Sequence, residues 1–99
     1  MKKPWKTTET TGTIRITKLD LRKLDQAIQK WRRRGERAAK DGDKELAKQY
    51  ATDVEDLTYF RDAAARGDHD TARHAAYDLD TLVRDQIPAA VWDKYFPKD

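Results

Sequence analysis

Few side chains in this sequence could carry acid–base or metal chemistry, and its two histidines are the first candidates. His69 and His74 lie five residues apart, so on one helix they would point about 140° away from each other, a poor arrangement for shared metal ligation. His74 and Asp78 are four residues apart and could share a helix face. A surface histidine beside an acid explains this pair without any catalytic role.

Sequence motifs for catalysis or phosphate binding are also missing. The chain holds no glycine-rich phosphate loop, no G-x-S-x-G nucleophile elbow and no H-E-x-x-H zinc motif. Acid pairs such as Asp53/Asp56 and Asp78/Asp80 are expected on solvated helix surfaces, whereas acid–base catalysis would need burial that shifts a pKa. We therefore predict a protein that is not an enzyme, with no cofactor and no metal.

Composition favours a small cytoplasmic domain with a thin core. Of 99 residues, 37% are hydrophobic and 39% are charged, against a usual charged share of about 25%. Cysteine is absent, which excludes disulfides and thiolate metal sites. Because no signal-like or membrane-spanning apolar run occurs, the cytoplasm is the expected location. A thin core also favours self-association, so a homodimer is one expectation.

Positive charge is concentrated in the first half of the chain. Residues 1–42 hold 13 Lys/Arg and 5 Asp/Glu, a net of +8, while residues 43–99 hold 8 and 13, a net of −5. The basic residues predicted on the outer face of the first helix are Arg22, Lys23, Lys30, Arg33, Arg34, Arg37 and Lys40. With a basic N-terminal arm before it, this face could make non-specific phosphate contacts with nucleic acid. It could equally be solvated, or paired with acids of the later helices.

Aromatic residues are the second candidate binding surface. The predicted protein-binding residues are Tyr59, Phe60, Trp92, Tyr95 and Phe96. Aromatic side chains are enriched in interface hot spots, since they bury much area for little loss of rotamer entropy. The C-terminal aromatics could equally dock a short helix onto the end of the domain. Trp31, in contrast, falls on the apolar seam of the first helix and is predicted to be core.

The elements that would position these residues are helices. An apolar seam recurs every three or four residues at Leu21, Leu24, Ile28, Trp31, Gly35 and Ala38. This period predicts a helix that begins at Thr17 or Lys18, with a capping box from Thr17 to Asp20, and ends at Asp41-Gly42. Gly35 on the seam indicates that another helix crosses closely there. Residues 1–16 lack this period and are predicted to form an arm, partly flexible.

Later helices follow from the same signals. The second is expected to begin after Asp43 and to end at Arg66-Gly67, and the third to run from Asp68 or Asp70 to Ile87. Pro88 starts a short fourth helix. Residues 37–57 align with residues 62–82 at an offset of 25, each copy holding a Gly-Asp corner. Short corners between long helices give antiparallel neighbours. The predicted fold is an all-α antiparallel three-helix bundle over residues 17–97, with a short C-terminal fourth helix.

Function is predicted at the level of binding. We expect a helical protein-binding or regulatory module, of the kind common among bacteriophage and mobile-element accessory proteins that bind and modulate a host protein. Nucleic-acid binding through the basic face is the alternative. A third hypothesis is mimicry of a nucleic-acid backbone by the acidic residues Asp53, Glu55, Asp56, Asp62, Asp78, Asp80 and Asp85. Membrane binding is not expected, because the basic face opposes a seam that the bundle needs.

Overall fold

The computed structural model describes residues 14–97, and every regular element within that range is helical. The helices are α1 (Lys18–Lys40), α2 (Lys44–Ala65), α3 (His69–Tyr77), α4 (Thr81–Arg84) and α5 (Ala89–Tyr95). The prediction of an all-helical fold is confirmed for these residues. The predicted arm lies outside the described range up to Thr13.

Helices α1 and α2 form an antiparallel pair. Asp25 contacts Arg61, Trp31 contacts Asp53 and Gly35 contacts Tyr50, so rising numbers on α1 meet falling numbers on α2. The close crossing predicted at Gly35 is confirmed, because a Cβ atom placed there would lie 3.0 Å from the Tyr50 Cβ. The capping box is confirmed as well: the Asp20 amide donates to Thr17 Oγ1, and the Thr17 amide donates to the Asp20 carboxylate.

The two Gly-Asp corners have the same backbone hydrogen bonds. Gly42 and Gly67 have φ angles of 82° and 79°, the left-handed conformation in which glycine has no Cβ penalty. In the first corner the Gly42 amide donates to the Ala39 carbonyl and the Asp43 amide to the Ala38 carbonyl; the second corner repeats both bonds 25 residues later. This is the Schellman arrangement. Each aspartate then caps the next helix with its side chain, Asp43 at the Leu46 amide and Asp68 at the Thr71 amide.

The third helix differs from the prediction. It ends at Tyr77, where we expected one helix to continue to Ile87, and the chain resumes helical structure at Thr81. Arg84 stabilises the break, because its Nη2 donates to the carbonyls of Tyr77 and Leu79, which a continuous helix would have paired internally. The break also reorients the chain that follows. Leu82 is 74% exposed, while Val83 is buried.

The C-terminal helix α5 closes the core against the start of α1. Lys94 on α5 forms an ion pair with Asp20 and donates to the Arg15 carbonyl at 2.8 Å. Ile14, just before α1, packs into the same core. The largest apolar side chains of this core are Leu24, Ile28, Trp31, Leu57, Phe60, Leu79, Val83, Ile87, Val91 and Tyr95. Residues 39–46, at the far end of the α1–α2 pair, are all exposed, so this end projects beyond the core.

Candidate functional site

The structure separates the two histidines. His69 Nδ1 lies 2.8 Å from the Tyr95 hydroxyl, and the two rings contact each other at the junction of α3 and α5. Burial lowers the pKa of His69, an effect that Arg73 strengthens and Asp68 opposes. His74 instead lies beside Asp70, with Nδ1 at 2.8 Å from the Asp70 carbonyl. In residues 14–97 there is no group of three histidine, aspartate or glutamate side chains positioned to hold a metal.

The acidic residues do not all lie on solvated surface. Asp53 is only 6% exposed, and it accepts hydrogen bonds from Trp31 Nε1 and Gln49 Nε2, each at 3.2 Å. The solvated position predicted for Asp53 is therefore wrong: its carboxylate is part of the α1–α2 contact. Asp56 is exposed, and its pKa is raised by partial burial and by the charges of nearby acids, Asp53 first. Like charges thus crowd one side of α2.

Two of the five predicted protein-binding aromatics belong to the core. Phe60 is 0% exposed and Tyr95 is 1% exposed, and their rings pack edge to face at 5.6 Å. Their prediction as surface residues is therefore wrong, because α5 packs against α2 and the two rings lie buried in that contact. Burial also raises the pKa of the Tyr95 hydroxyl, which keeps its proton. Tyr59 is 57% exposed.

Trp92 and Phe96 form a half-buried cluster at the end of α5. Their rings lie 4.2 Å apart, and Phe96 also contacts Tyr77. The Arg84 guanidinium lies over both Tyr77 and Trp92, at 5.8 and 5.5 Å from the ring centres. These contacts join α5 to Tyr77 and to Arg84 of α4. Trp92 and Phe96 are therefore half-buried by contacts within the molecule. Tyr59 lies on α2 and has no ring contact with this cluster.

All seven predicted phosphate-binding residues are exposed. They are Arg22, Lys23, Lys30, Arg33, Arg34, Arg37 and Lys40, all on α1, with Arg34 at the flank of the buried seam. None of the ion pairs within residues 14–97 involves them. Pairing with acids of the later helices, the alternative explanation of this face, is thus not found in the described part of the chain. Arg34 makes one contact, with its guanidinium 4.9 Å from the centre of the Trp31 ring.

A cleft lies between the projecting end of the α1–α2 pair and helix α4. We call it the hairpin cleft; its volume is about 510 Å³, and it is lined by Trp31, Arg34, Gln49, Tyr50, Asp53, Asp80, Thr81, Leu82 and Val83. Trp31 and Tyr50 meet edge to face at 5.1 Å in this lining. Leu82, the most exposed large apolar residue within the described range, lies at the cleft with 74% of its surface accessible. The sequence did not indicate this site, because it forms only where the third helix breaks.

Tyr50 separates the hairpin cleft from a second depression on the α1–α2 pair. We call it the open groove; its volume is about 340 Å³, and it is lined by Arg32, Gly35, Glu36, Ala39, Ala47, Tyr50, Ala51 and Val54. Most of its lining consists of small or apolar side chains. Arg32 and Glu36 stand at its α1 edge, one helical turn apart, and both are exposed. The open groove is thus a shallow apolar surface with one positive and one negative charge at its edge.

A buried arginine was not anticipated from the sequence. Arg73 on α3 is 0% exposed, and burial lowers the pKa of its guanidinium, while Asp70 and Tyr95 act in the opposite direction. Arginine is rarely buried this completely. The helical period places position 73 beside the buried Ala72 and Ala76, but the residue type argues for an exposed site.

Comparison with protein-family models, with curated proteins and with solved structures found no match to this chain. No helix among residues 14–97 combines the length and apolar character needed to cross a membrane.

Proposed function

We propose that this chain is a non-catalytic protein-binding module that holds a segment of a partner protein in the hairpin cleft. The observation that carries the proposal is the 74% exposure of Leu82 on a cleft lined by Trp31 and Tyr50. Leu82 presents apolar surface in the same cleft as Tyr50 and Trp31, and a partner segment seated there would bury that surface. The expectation of a bacteriophage or mobile-element accessory protein that modulates a host protein is part of this proposal.

The chemistry of the cleft supports an apolar segment with at least one acidic residue. Leu82 and the half-buried Tyr50 offer apolar surface, the buried Trp31 forms the inner wall, and Arg34 offers a guanidinium at the rim. Tryptophan, tyrosine and arginine dominate interface hot spots, because their large side chains combine apolar area with a polar group. A cleft of about 510 Å³ also falls in the range that holds a few side chains.

The test uses a photo-crosslinking amino acid in place of Leu82, in the full chain produced in bacterial cells. Irradiation is expected to give one dominant covalent adduct with another protein, which mass spectrometry identifies. The same label at Ala90, an exposed residue of α5 outside the cleft lining, should give no such adduct. An Arg34→Glu change should reduce the adduct at position 82.

Arg33→Glu is the matched control for Arg34→Glu. Arg33 is the adjacent exposed arginine and does not line the cleft, so its reversal changes net charge equally and should leave the adduct intact. Equal labelling from positions 82 and 90, or an adduct made only of two copies of this chain, would contradict the proposal.

Nucleic-acid binding is the second candidate function, favoured by one observation. The seven basic residues of α1 are exposed together on a 23-residue helix, and no described acid pairs with them. A row of cations on a rigid helix matches a phosphate backbone, and its binding would weaken steeply with salt through counterion release. A row of cations offers phosphate contacts, which carry no sequence information directly, so we expect this binding to be non-specific.

Titration of labelled double- and single-stranded DNA and RNA between ~50 and ~200 mM salt tests this candidate. The double change Arg33→Glu and Arg37→Glu should abolish binding while the fold persists. Lys44→Glu with Lys48→Glu is the control, because it alters net charge equally on exposed positions of α2. Equal loss in both double variants would show an effect of net charge alone and would remove the α1 face as the site.

A further inference from the structure

We infer that a second copy of this chain covers the open groove, with α1 of one copy crossing antiparallel to α1 of the other near Gly35. The inference does not depend on the hairpin cleft, which lies on the other side of Tyr50. Two observations support it, one from the internal repeat and one from charge.

The internal repeat shows what covers the same groove elsewhere in the molecule. Because the two corners share their backbone hydrogen bonds, positions 25 residues apart are structurally equivalent. The equivalents of Ala39, Ala47 and Ala51 are Ala64, Ala72 and Ala76. All three equivalents are buried, at 2%, 0% and 0% exposure. The groove of the second corner is therefore part of the core.

At the second corner, a helix of the chain itself packs against one of these positions. Phe60, the equivalent of Gly35, packs edge to face against Tyr95 of α5. On the first corner the corresponding surface has no such cover among the described residues, and Ala39 and Ala51 are exposed. We place a helix on this groove as well, because the small side chains of Ala39, Ala47 and Ala51 in its lining allow helix axes to approach closely.

The charges at the groove edge favour a helix from a second copy of this chain, because they can pair with the same charges on that copy. Arg32 and Glu36 are exposed, lie one turn apart on α1, and form no ion pair within residues 14–97. In a twofold dimer each contact occurs twice: residue i of the first copy contacts residue j of the second, and residue j of the first contacts residue i of the second. When two antiparallel α1 helices cross between these positions, Arg32 of each copy meets Glu36 of the other. The groove edge of one copy is therefore complementary in charge to the groove edge of the other.

The experiment measures molar mass by light scattering and sedimentation from micromolar to near-millimolar chain concentration. The parent is expected to dimerise, and Arg32→Glu or Glu36→Arg should each weaken the dimer by about tenfold or more, because like charges then face each other twice. Mixing the two variants should restore a dimer, since every edge contact in the mixed pair joins opposite charges. Restoration on mixing also shows that both variants are folded.

Arg33→Glu serves as the control, because it makes the same charge change on an exposed position that does not line the groove. A parent chain that stays monomeric at the highest concentration would overturn the inference. A dimer that persists in both single variants would also overturn it, since the contact would then lie elsewhere. Single variants that dissociate but fail to pair when mixed would show that Arg32 and Glu36 do not face each other.

Discussion

The Trp31 indole donates a hydrogen bond to the Asp53 carboxylate at 3.2 Å, inside the contact between α1 and α2. Both side chains are buried, at 6% exposure each. Their bond therefore joins the two long helices at the inner wall of the hairpin cleft. The same carboxylate also accepts from Gln49, so one acid organises polar groups from both helices.

Removal of this carboxylate should destabilise the fold. Asp53→Ala leaves the buried Trp31 N–H without its acceptor, and an unsatisfied buried donor costs about 1–3 kcal/mol. Chemical denaturation followed by tryptophan fluorescence and circular dichroism measures the free energy of unfolding. Asp56→Ala is the matched control on the same helix. Partial burial, and then repulsion from Asp53 and other acids, raises the pKa of Asp56, so this second change should raise stability at neutral pH or leave it unchanged.

Stability should fall at mildly acidic pH because of His69. Burial lowers the pKa of this imidazole in the folded state, whereas the unfolded chain titrates near the ordinary value of about 6.5. The unfolded state therefore binds more protons as pH falls, and the free energy of unfolding decreases through and below about pH 6.5. Above that region the contribution is constant.

Denaturation midpoints between about pH 5.5 and 8 measure this effect, in a range where the ordinary carboxylates stay ionised. His69→Gln should remove most of the slope, while His74→Gln should keep it because His74 is a separate, partly exposed residue beside Asp70. A slope that survives in His69→Gln would assign the titration to another group.

The ion pair between Lys94 and Asp20 should contribute more to the free energy of unfolding than an exposed ion pair does. Burial raises the pKa of Asp20, but the bonds from Lys94 and Thr17 outweigh it, so the net shift is downward. Lys94→Met leaves a buried carboxylate with fewer donors and also frees the Arg15 carbonyl. We expect a loss of about 1–3 kcal/mol, the range for a hydrogen bond to a charged group. Lys48→Met, at an exposed position of α2, should change stability by less than about 0.5 kcal/mol.

Both corner glycines should be equally sensitive to alanine. Gly42 and Gly67 have positive φ, and a Cβ atom at either position meets nothing within 4 Å, so the cost is conformational alone. We expect Gly42→Ala and Gly67→Ala each to lose about 1–2 kcal/mol. Asparagine, which tolerates this conformation better, should recover part of the loss. Thermal melts of the four variants provide the comparison, and a loss at one corner only would argue against equivalent backbones.

Helix ends were the most predictable part of the fold. The ends of α1 and α2 follow from Thr17, Asp43 and the two glycines, because capping and left-handed turns depend on residues adjacent in sequence. The break after Tyr77 was missed for the opposite reason. Apolar spacing from Ala72 to Ile87 suits a continuous helix, and the interaction that stabilises the break comes from Arg84, seven residues further on.

Site residues could be predicted where their surroundings depend on residues nearby in sequence, and not where they depend on distant ones. The basic face of α1 follows from the seam alone, and all seven residues are exposed. Phe60 and Tyr95 were predicted as candidate partner contacts, and docking of the short helix onto the domain stayed open as the alternative, because the sequence does not reveal where α5 packs. The hairpin cleft depends on the position of Leu82 relative to Trp31, two residues 51 positions apart, and no local pattern encodes that distance.

The two Gly-Asp corners also determine how the molecule can move. Each aspartate completes the end of one helix with its amide and begins the next with its side chain, so neither corner contains a spare linker residue. A change in the angle between α1 and α2, or between α2 and α3, must therefore break cap hydrogen bonds instead of rotating a free hinge. Thermal motion in this pair of corners should appear as bending along the helices and fraying at their ends.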